Sequence, residues 1–217
     1  MKYTHIFFDL DGTLTDPALG ITNSVMHALR RMGRQVPPRE ELLFFIGPPL
    51  LETFESYCEL DRDGAIRAVE LYREHYHDKG IFENRLYTGI SELLSTLNSS
   101  GYVISLATSK PEVYAKRILE HFEIDQYFSH VCGANLDGTR TDKSEVIKYA
   151  LESAGNPPLD NCLMIGDRKH DVLGAKKIGL DCLGVLYGYG SREELVGAGA
   201  DYISETVTDI ADFFNKA

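Results

Sequence analysis

Short apolar runs that stop at an acid or a glycine recur along this 217-residue chain, with helical patterns between them, and that rhythm leaves few folds open. Ile6-Phe7-Phe8 ends at Asp9. The runs Val103-Ile104-Ser105-Leu106-Ala107, His130-Val131-Cys132, Cys162-Leu163-Met164-Ile165 and Cys182-Leu183-Gly184-Val185-Leu186 repeat the pattern, and Asp201-Tyr202-Ile203 is a weaker sixth. Runs without polar alternation suit strands buried on both faces of a parallel sheet. Ile90, Leu93, Leu94 and Leu97 form one helical stripe, closed by Gly101. Pro111 is expected at the first turn of the next helix, with Val113, Ile118, Leu119 and Phe122 on its apolar side, and Val146, Ile147, Ala150 and Leu151 mark another before Gly155. This alternation predicts an α/β chain with a doubly wound parallel sheet. In such sheets the functional groups gather at the carboxyl ends of the strands.

Residues 16–84 break the rhythm. They carry helical patterns near 19–32, 39–45, from 50 and near 63–77, punctuated by Pro37-Pro38 and Gly47-Pro48-Pro49, with no convincing strand. The expectation is a small helical domain, residues 16–84, inserted into a discontinuous core of residues 1–15 and 85–217.

Asp9-Leu10-Asp11-Gly12-Thr13 follows the first apolar run, with Gly12 permitting the turn. Two acids two residues apart repel each other unless a metal neutralises them or one keeps its proton. Gly166-Asp167-Arg168-Lys169-His170-Asp171 follows another apolar run and adds two more acids. Oxygen ligands without a thiolate cluster suit Mg²⁺. The plainer uses are an Asx turn at Asp11 or Asp16 and a helix N-cap at Asp167. Thr108-Ser109-Lys110 ends a third run with hydroxyls and an amine just before a helix, a natural seat for phosphate oxygens, although Ser109 could equally serve as a cap. Lys143 opens a helix, the unfavourable end of the dipole for a cation, and an anion bound beside it would explain its place.

Lys and Arg number 22 against 33 Asp and Glu, a net charge of -11, which argues against nucleic acid or an anionic membrane as partner. An anionic substrate must then meet local cations or a metal. Four cysteines without a Cys-x-x-Cys pair read as reduced core residues, and no apolar run approaches the ~20 residues that span a bilayer. The opening Met1-Lys2-Tyr3-Thr4-His5 does not read as a signal peptide, so the cytoplasm is expected. Gly133 and Gly138 have P-loop spacing, but Thr139-Arg140 stands where Lys-Ser/Thr is needed. Gly188-Tyr189-Gly190 lacks the third glycine of a dinucleotide fingerprint and reads as a loop near the active-site rim. His75, His77 and His170 are taken as ordinary polar residues, His170 on the surface.

The four motifs in this order resemble the haloacid dehalogenase superfamily of aspartate-dependent phosphatases, over essentially the whole chain. The resemblance implies that Asp9 is a nucleophile and Asp11 a general acid/base, with Thr108 and Lys143 stabilising the phosphate and the intermediate. It places Gly12, Ser109 and Lys110 along the phosphate and implies Mg²⁺ held by Asp9, Asp11, Asp167 and Asp171. The insert looks like the family's C1-type cap. With Ile46-Gly47-Pro48-Pro49-Leu50, it points toward phosphoglycolate phosphatases and their nucleotidase-like relatives. The implied protein is a monomer or homodimer that hydrolyses a small phosphorylated metabolite. A phosphomutase or phosphotransferase is the alternative. A dehalogenase would not be expected to carry Asp11, and a non-enzymatic phosphate-binding module would be favoured by the loss of a catalytic group, yet all are present.

Overall fold

The computed structural model describes residues 2–216. In chain order the elements are β1 (His5–Phe8), β2 (Thr15–Asp16), α1 (Ala18–Arg31), a 3₁₀ stretch (Arg39–Phe45), α2 (Leu50–Tyr57), α3 (Arg62–His75), a π-helical turn (Tyr76–Gly80) and β3 (Arg85–Leu86). There follow α4 (Ile90–Ser99), β4 (Val103–Pro111), α5 (Glu112–His121), β5 (His130–Ala134), α6 (Lys143–Ser153) and β6 (Cys162–Gly166). The last are α7 (Lys169–Ile178), β7 (Asp181–Val185), α8 (Arg192–Ala198), β8 (Tyr202–Ser204) and α9 (Val207–Lys216).

The chain divides into two compact units, residues 1–16 with 86–217, and residues 17–85. In the first, six strands form one sheet in the order β5-β4-β1-β6-β7-β8. Every pairing in it is parallel. This is the α/β sheet that the apolar runs predict, with β1 at its centre because Ile6, Phe7 and Phe8 bury both faces completely. Each such side chain removed from water contributes about 1.5–3 kcal/mol.

Two expectations shift. β4 runs on to Pro111, so α5 starts at Glu112 rather than at the proline. Tyr114, Ala115, Ile118 and Leu119 form its buried face, whereas Val113 is 44% exposed. The physical reason is the 100° step per residue, which turns Val113 away once Tyr114 faces inward.

The second unit is helical. Asp61 caps α3 by accepting a hydrogen bond from the Gly64 backbone N–H at 2.8 Å. The expected helix over 63–77 instead closes at His75 and widens into the π-helical turn. Phe45 and Phe54, both fully buried, pack at 4.9 Å between ring centroids.

Candidate active site

Parallel register places the first motif. Phe8 pairs with Leu106 on β4 and with Ile165 on β6, so Asp9 lies beside Ala107 and Gly166, with Thr108 and Asp167 one residue further along their strands. The Asp9 N–H donates to Ile165 O at 2.9 Å, which ties the start of the loop to β6. The chain then turns tightly, with Gly12 N–H on Thr15 O at 2.7 Å and Leu14 N–H on Leu10 O at 2.9 Å. Gly12 has φ +88°, and a methyl group there would sit 2.2 Å from Asp167 Oδ2. Only glycine meets both demands.

Carboxylate oxygens of Asp9, Asp167 and Asp171 lie within 4.8 Å of one another, all three residues buried. Lys143 reaches in from the first turn of α6, its ammonium 2.8 Å from Asp9 Oδ1 and 2.7 Å from Asp171 Oδ1. The same ammonium donates to Ala107 O at 3.1 Å. The anions that explain a lysine at a helix start are thus supplied by the chain itself. Burial pulls the Lys143 amine down, but the charges of Asp171 and Asp9 outweigh it and hold the amine above its ordinary range. Burial pushes the carboxyls of Asp167 and Asp171 up; the charges of Asp171 and Asp9 add to it at Asp167, while at Asp171 the Lys143 cation opposes it and Asp9 adds to it.

Three placements were not evident from the motifs alone. The Asp11 carboxylate lies outside the three-acid cluster and is ion-paired with Lys110. Asp167 is not an N-cap: Arg168 holds that position in α7, and its N–H donates to Asp171 Oδ2 at 3.0 Å. His170 is half-buried beside these loops, and its imidazole is pushed down first by burial and then by Arg168. Thr108 is buried and its Oγ1 accepts from the Lys110 N–H at 3.3 Å, while Ser109 is only partly covered.

The geometry has counterparts among known proteins. Residues 6–185 match the haloacid dehalogenase-like hydrolase family. The chain belongs to that family. It is 49% identical over 195 residues to a 5′-nucleotidase of Pseudomonas aeruginosa, covering 90% of this chain and 88% of that one. The tyrosine-protein kinase PtkA of Mycobacterium tuberculosis is 40% identical over 205 residues, covering 94% of this chain and 67% of that protein. A crystal structure of a predicted phosphatase from Clostridium acetobutylicum superposes with a TM-score of 0.96 at 45% identity, over the whole of both chains. The chain is an enzyme of the phosphoric monoester hydrolase class within the haloacid dehalogenase-like family.

This family member also uses residues that the motifs did not single out. Thr13 Oγ1 donates to Asp167 Oδ1 at 3.4 Å, and the Tyr189 N–H donates to Asp167 Oδ2 at 2.8 Å. The loop after β7 packs so closely that a methyl group at Gly188 would lie 2.3 Å from Gly12 O and 2.4 Å from Asp167 Cβ. Tyr187 steadies the first loop by donating from its hydroxyl to Thr13 O at 2.9 Å, and Tyr189 donates from its hydroxyl to Asp16. The glycines of Gly188-Tyr189-Gly190 signal a close approach in the sequence, but not what approaches.

Three buried acids, Asp9, Asp167 and Asp171, face one buried ammonium group, that of Lys143. One divalent cation would balance the remaining two charges. The donors offered by Asp9, Asp167 and Asp171 are all carboxylate oxygens, the set a hard cation takes. Uncompensated buried carboxylates cost several kcal/mol each, so the residues present fit a metal better than they fit a merely structural role.

Proposed function

We propose that this hydrolase cleaves small phosphate monoesters in an Mg²⁺-dependent reaction that passes through an aspartyl-phosphate on Asp9. The observation that carries the reading is the buried cluster of Asp9, Asp167 and Asp171 with Lys143 bridging two of its members. Asp9, Asp167 and Asp171 would hold Mg²⁺, which offsets the repulsion between an anionic nucleophile and an anionic ester. The Asp9 carboxylate attacks phosphorus while Asp11 gives its proton to the departing oxygen. A water then attacks the phosphorylated Asp9, passes a proton back to Asp11 and releases inorganic phosphate. Lys143 compensates charge through both steps without titrating, and Thr108 supplies a hydroxyl at the adjacent strand end.

Nucleoside 5′-monophosphates are the substrate class to test first, because the 49%-identical relative is named a 5′-nucleotidase. The insert, residues 17–85, leaves the core just after Asp16 as a compact helical unit, and we assign it the choice among esters. The free cysteines fit a reducing cytoplasm. A second reading follows from the relative named a tyrosine-protein kinase: the same phosphorylated Asp9 could pass its group to a hydroxyl.

Phosphate release from a panel of esters, with Mg²⁺ and with EDTA, tests the main reading. Metal-independent release, or no phosphorylated Asp9 in quenched wild-type samples, would overturn it. Transfer to an added alcohol exceeding release to water would favour the second. Replacing residues 17–85 by a short linker should flatten the preference among esters while leaving turnover of p-nitrophenyl phosphate measurable.

A further inference from the structure

We propose that Lys110 is a positioning residue for Asp11: its ammonium holds Oδ2 of the carboxylate and leaves Oδ1 turned to meet the leaving group and the water. The inference rests on the acid–base reading of Asp11 given above. Side-chain exposure is 7% for Lys110 and 12% for Asp11, so solvent screens their ion pair weakly. Asp11 Oδ1, by contrast, is buried with no hydrogen-bond partner among the described residues. Unlike Asp9 Oδ1 and Asp171 Oδ1, which Lys143 approaches at 2.8 and 2.7 Å, it has no ammonium within ion-pair distance among those residues and is the atom a reacting group could complete. A carboxylate gripped by one oxygen also loses the torsional freedom that would otherwise spread Oδ1 over many orientations.

The backbone around Lys110 is built for this grip. Thr108 pairs with Gly133 and Pro111 with Ala134, so Ser109 and Lys110 are extra residues on the β4 side of the ladder. Bulges of this kind re-aim side chains and concentrate beside active sites. The partner strand leaves room for it, since a methyl group at Gly133 would lie 2.7 Å from both Lys110 O and Glu112 Cα. Gly133 is fixed in turn: Arg140 Nε donates to its carbonyl at 2.9 Å, and its N–H donates to Glu112 Oε2 at 3.4 Å. Lys143, meanwhile, is engaged with Asp9 and Asp171. The two lysines, Lys143 buried and Lys110 partly so, therefore divide the work, one on the nucleophile and one on the acid–base group.

The test compares Lys110→Met, Lys110→Arg and Asp11→Asn in the full chain with Mg²⁺, using phenyl phosphate and p-nitrophenyl phosphate, whose leaving groups differ in their need for a proton. A positioning role predicts that Lys110→Met lowers kcat for phenyl phosphate at least about tenfold more than for p-nitrophenyl phosphate. KM for both esters and inhibition by inorganic phosphate should change little, and Lys110→Arg should restore part of the loss. Equal losses on both esters, with weakened inhibition by phosphate, would overturn the proposal and make Lys110 a phosphate-binding group. Gly133→Ala disturbs the bulge while keeping the amine, and should reproduce the leaving-group-selective loss. It decides the matter if Lys110→Met does not fold, because an unselective Gly133→Ala sinks the proposal. If Asp11→Asn itself slows both esters equally, the acid–base reading fails. A selective Asp11→Asn beside an unselective Lys110→Met overturns only the role of Lys110.

Discussion

The carboxyl end of the core sheet buries polar side chains and the helical insert half-buries them, and the two do so on opposite terms. At the sheet end, acids lie against one another, so that burial and the neighbouring Asp9 charge raise the carboxyls of Asp167 and Asp171. In the insert, polar groups satisfy each other: Arg39 donates to Asn23 Oδ1 at 2.7 Å and to Leu19 O at 3.3 Å, and Asn23 donates to Glu83 at 2.8 Å. Ser24 Oγ and His75 Nδ1 share a hydrogen bond of 3.0 Å in the same unit. Stacked acids are costly for a fold, whereas paired dipoles are not. On the proposed function, the first arrangement stores electrostatic free energy for chemistry, whereas the second holds helices together.

That contrast breaks if removing a charge from the sheet end leaves chemistry intact. Asp9→Asn should lower turnover by about 10⁴-fold or more, since members of a catalytic unit fail together. Its melting temperature without metal should not fall, because one of the crowding charges is gone, and a large drop in a thermal scan would show that Asp9 serves the fold. Lys143→Met should act in the other direction on stability. Its amine is 6% exposed between two acids, and loss of the cation leaves both uncompensated, at about 3–5 kcal/mol in urea unfolding. An unchanged urea midpoint would mean that the acids relax without it.

A smaller effect comes from metal and pH. The ordinary carboxyl value is 3.8, and burial raises Asp167 and Asp171 above it in the metal-free fold. The folded state then holds those protons more tightly than the unfolded one, so their contribution to stability is greatest in acid and declines as pH rises above 3.8 toward the folded values. Mg²⁺ binds the ionised acids, so saturating it about a hundredfold above Kd should stabilise the wild type by about 2.7 kcal/mol at neutral pH and less in acid. Asp167→Asn should raise metal-free stability more at neutral pH than in acid and reduce the Mg²⁺ response. A Mg²⁺ response equal at both pH values would sink this account. The smallest effect belongs to the insert. Asp61→Ala removes the α3 cap, at about 1 kcal/mol, and should leave kcat on p-nitrophenyl phosphate unchanged. Loss of activity without loss of stability in that variant would erase the distinction between the two regions.

Much of the sheet end is legible in the chain because its demands are local. An acid that ends an apolar run must emerge at a strand end, and glycine at position 12 marks a turn that the next residues complete. The partners of those acids are not local. Lys110 lies 99 residues from Asp11 in sequence, and its bulge depends on the register between β4 and β5, so nothing in the tripeptide Thr108-Ser109-Lys110 signals that ion pair. Val113 misleads for a related reason, since helical phase depends on where the preceding strand stops.

The sequence by itself determines the alternation of strands and helices, a break in that rhythm near residue 16 and the chemical identity of the charged groups, because periodicity and residue type act over a few neighbouring positions. Only the tertiary structure decides how those charges are shared. Three acids gather on one side, Lys143 bridges two of them, Lys110 takes Asp11, and the Tyr187–Gly190 loop closes on Asp167. These choices depend on distances of a few ångströms between strands far apart in the chain, where a shift of one residue in register would exchange one counter-ion for another.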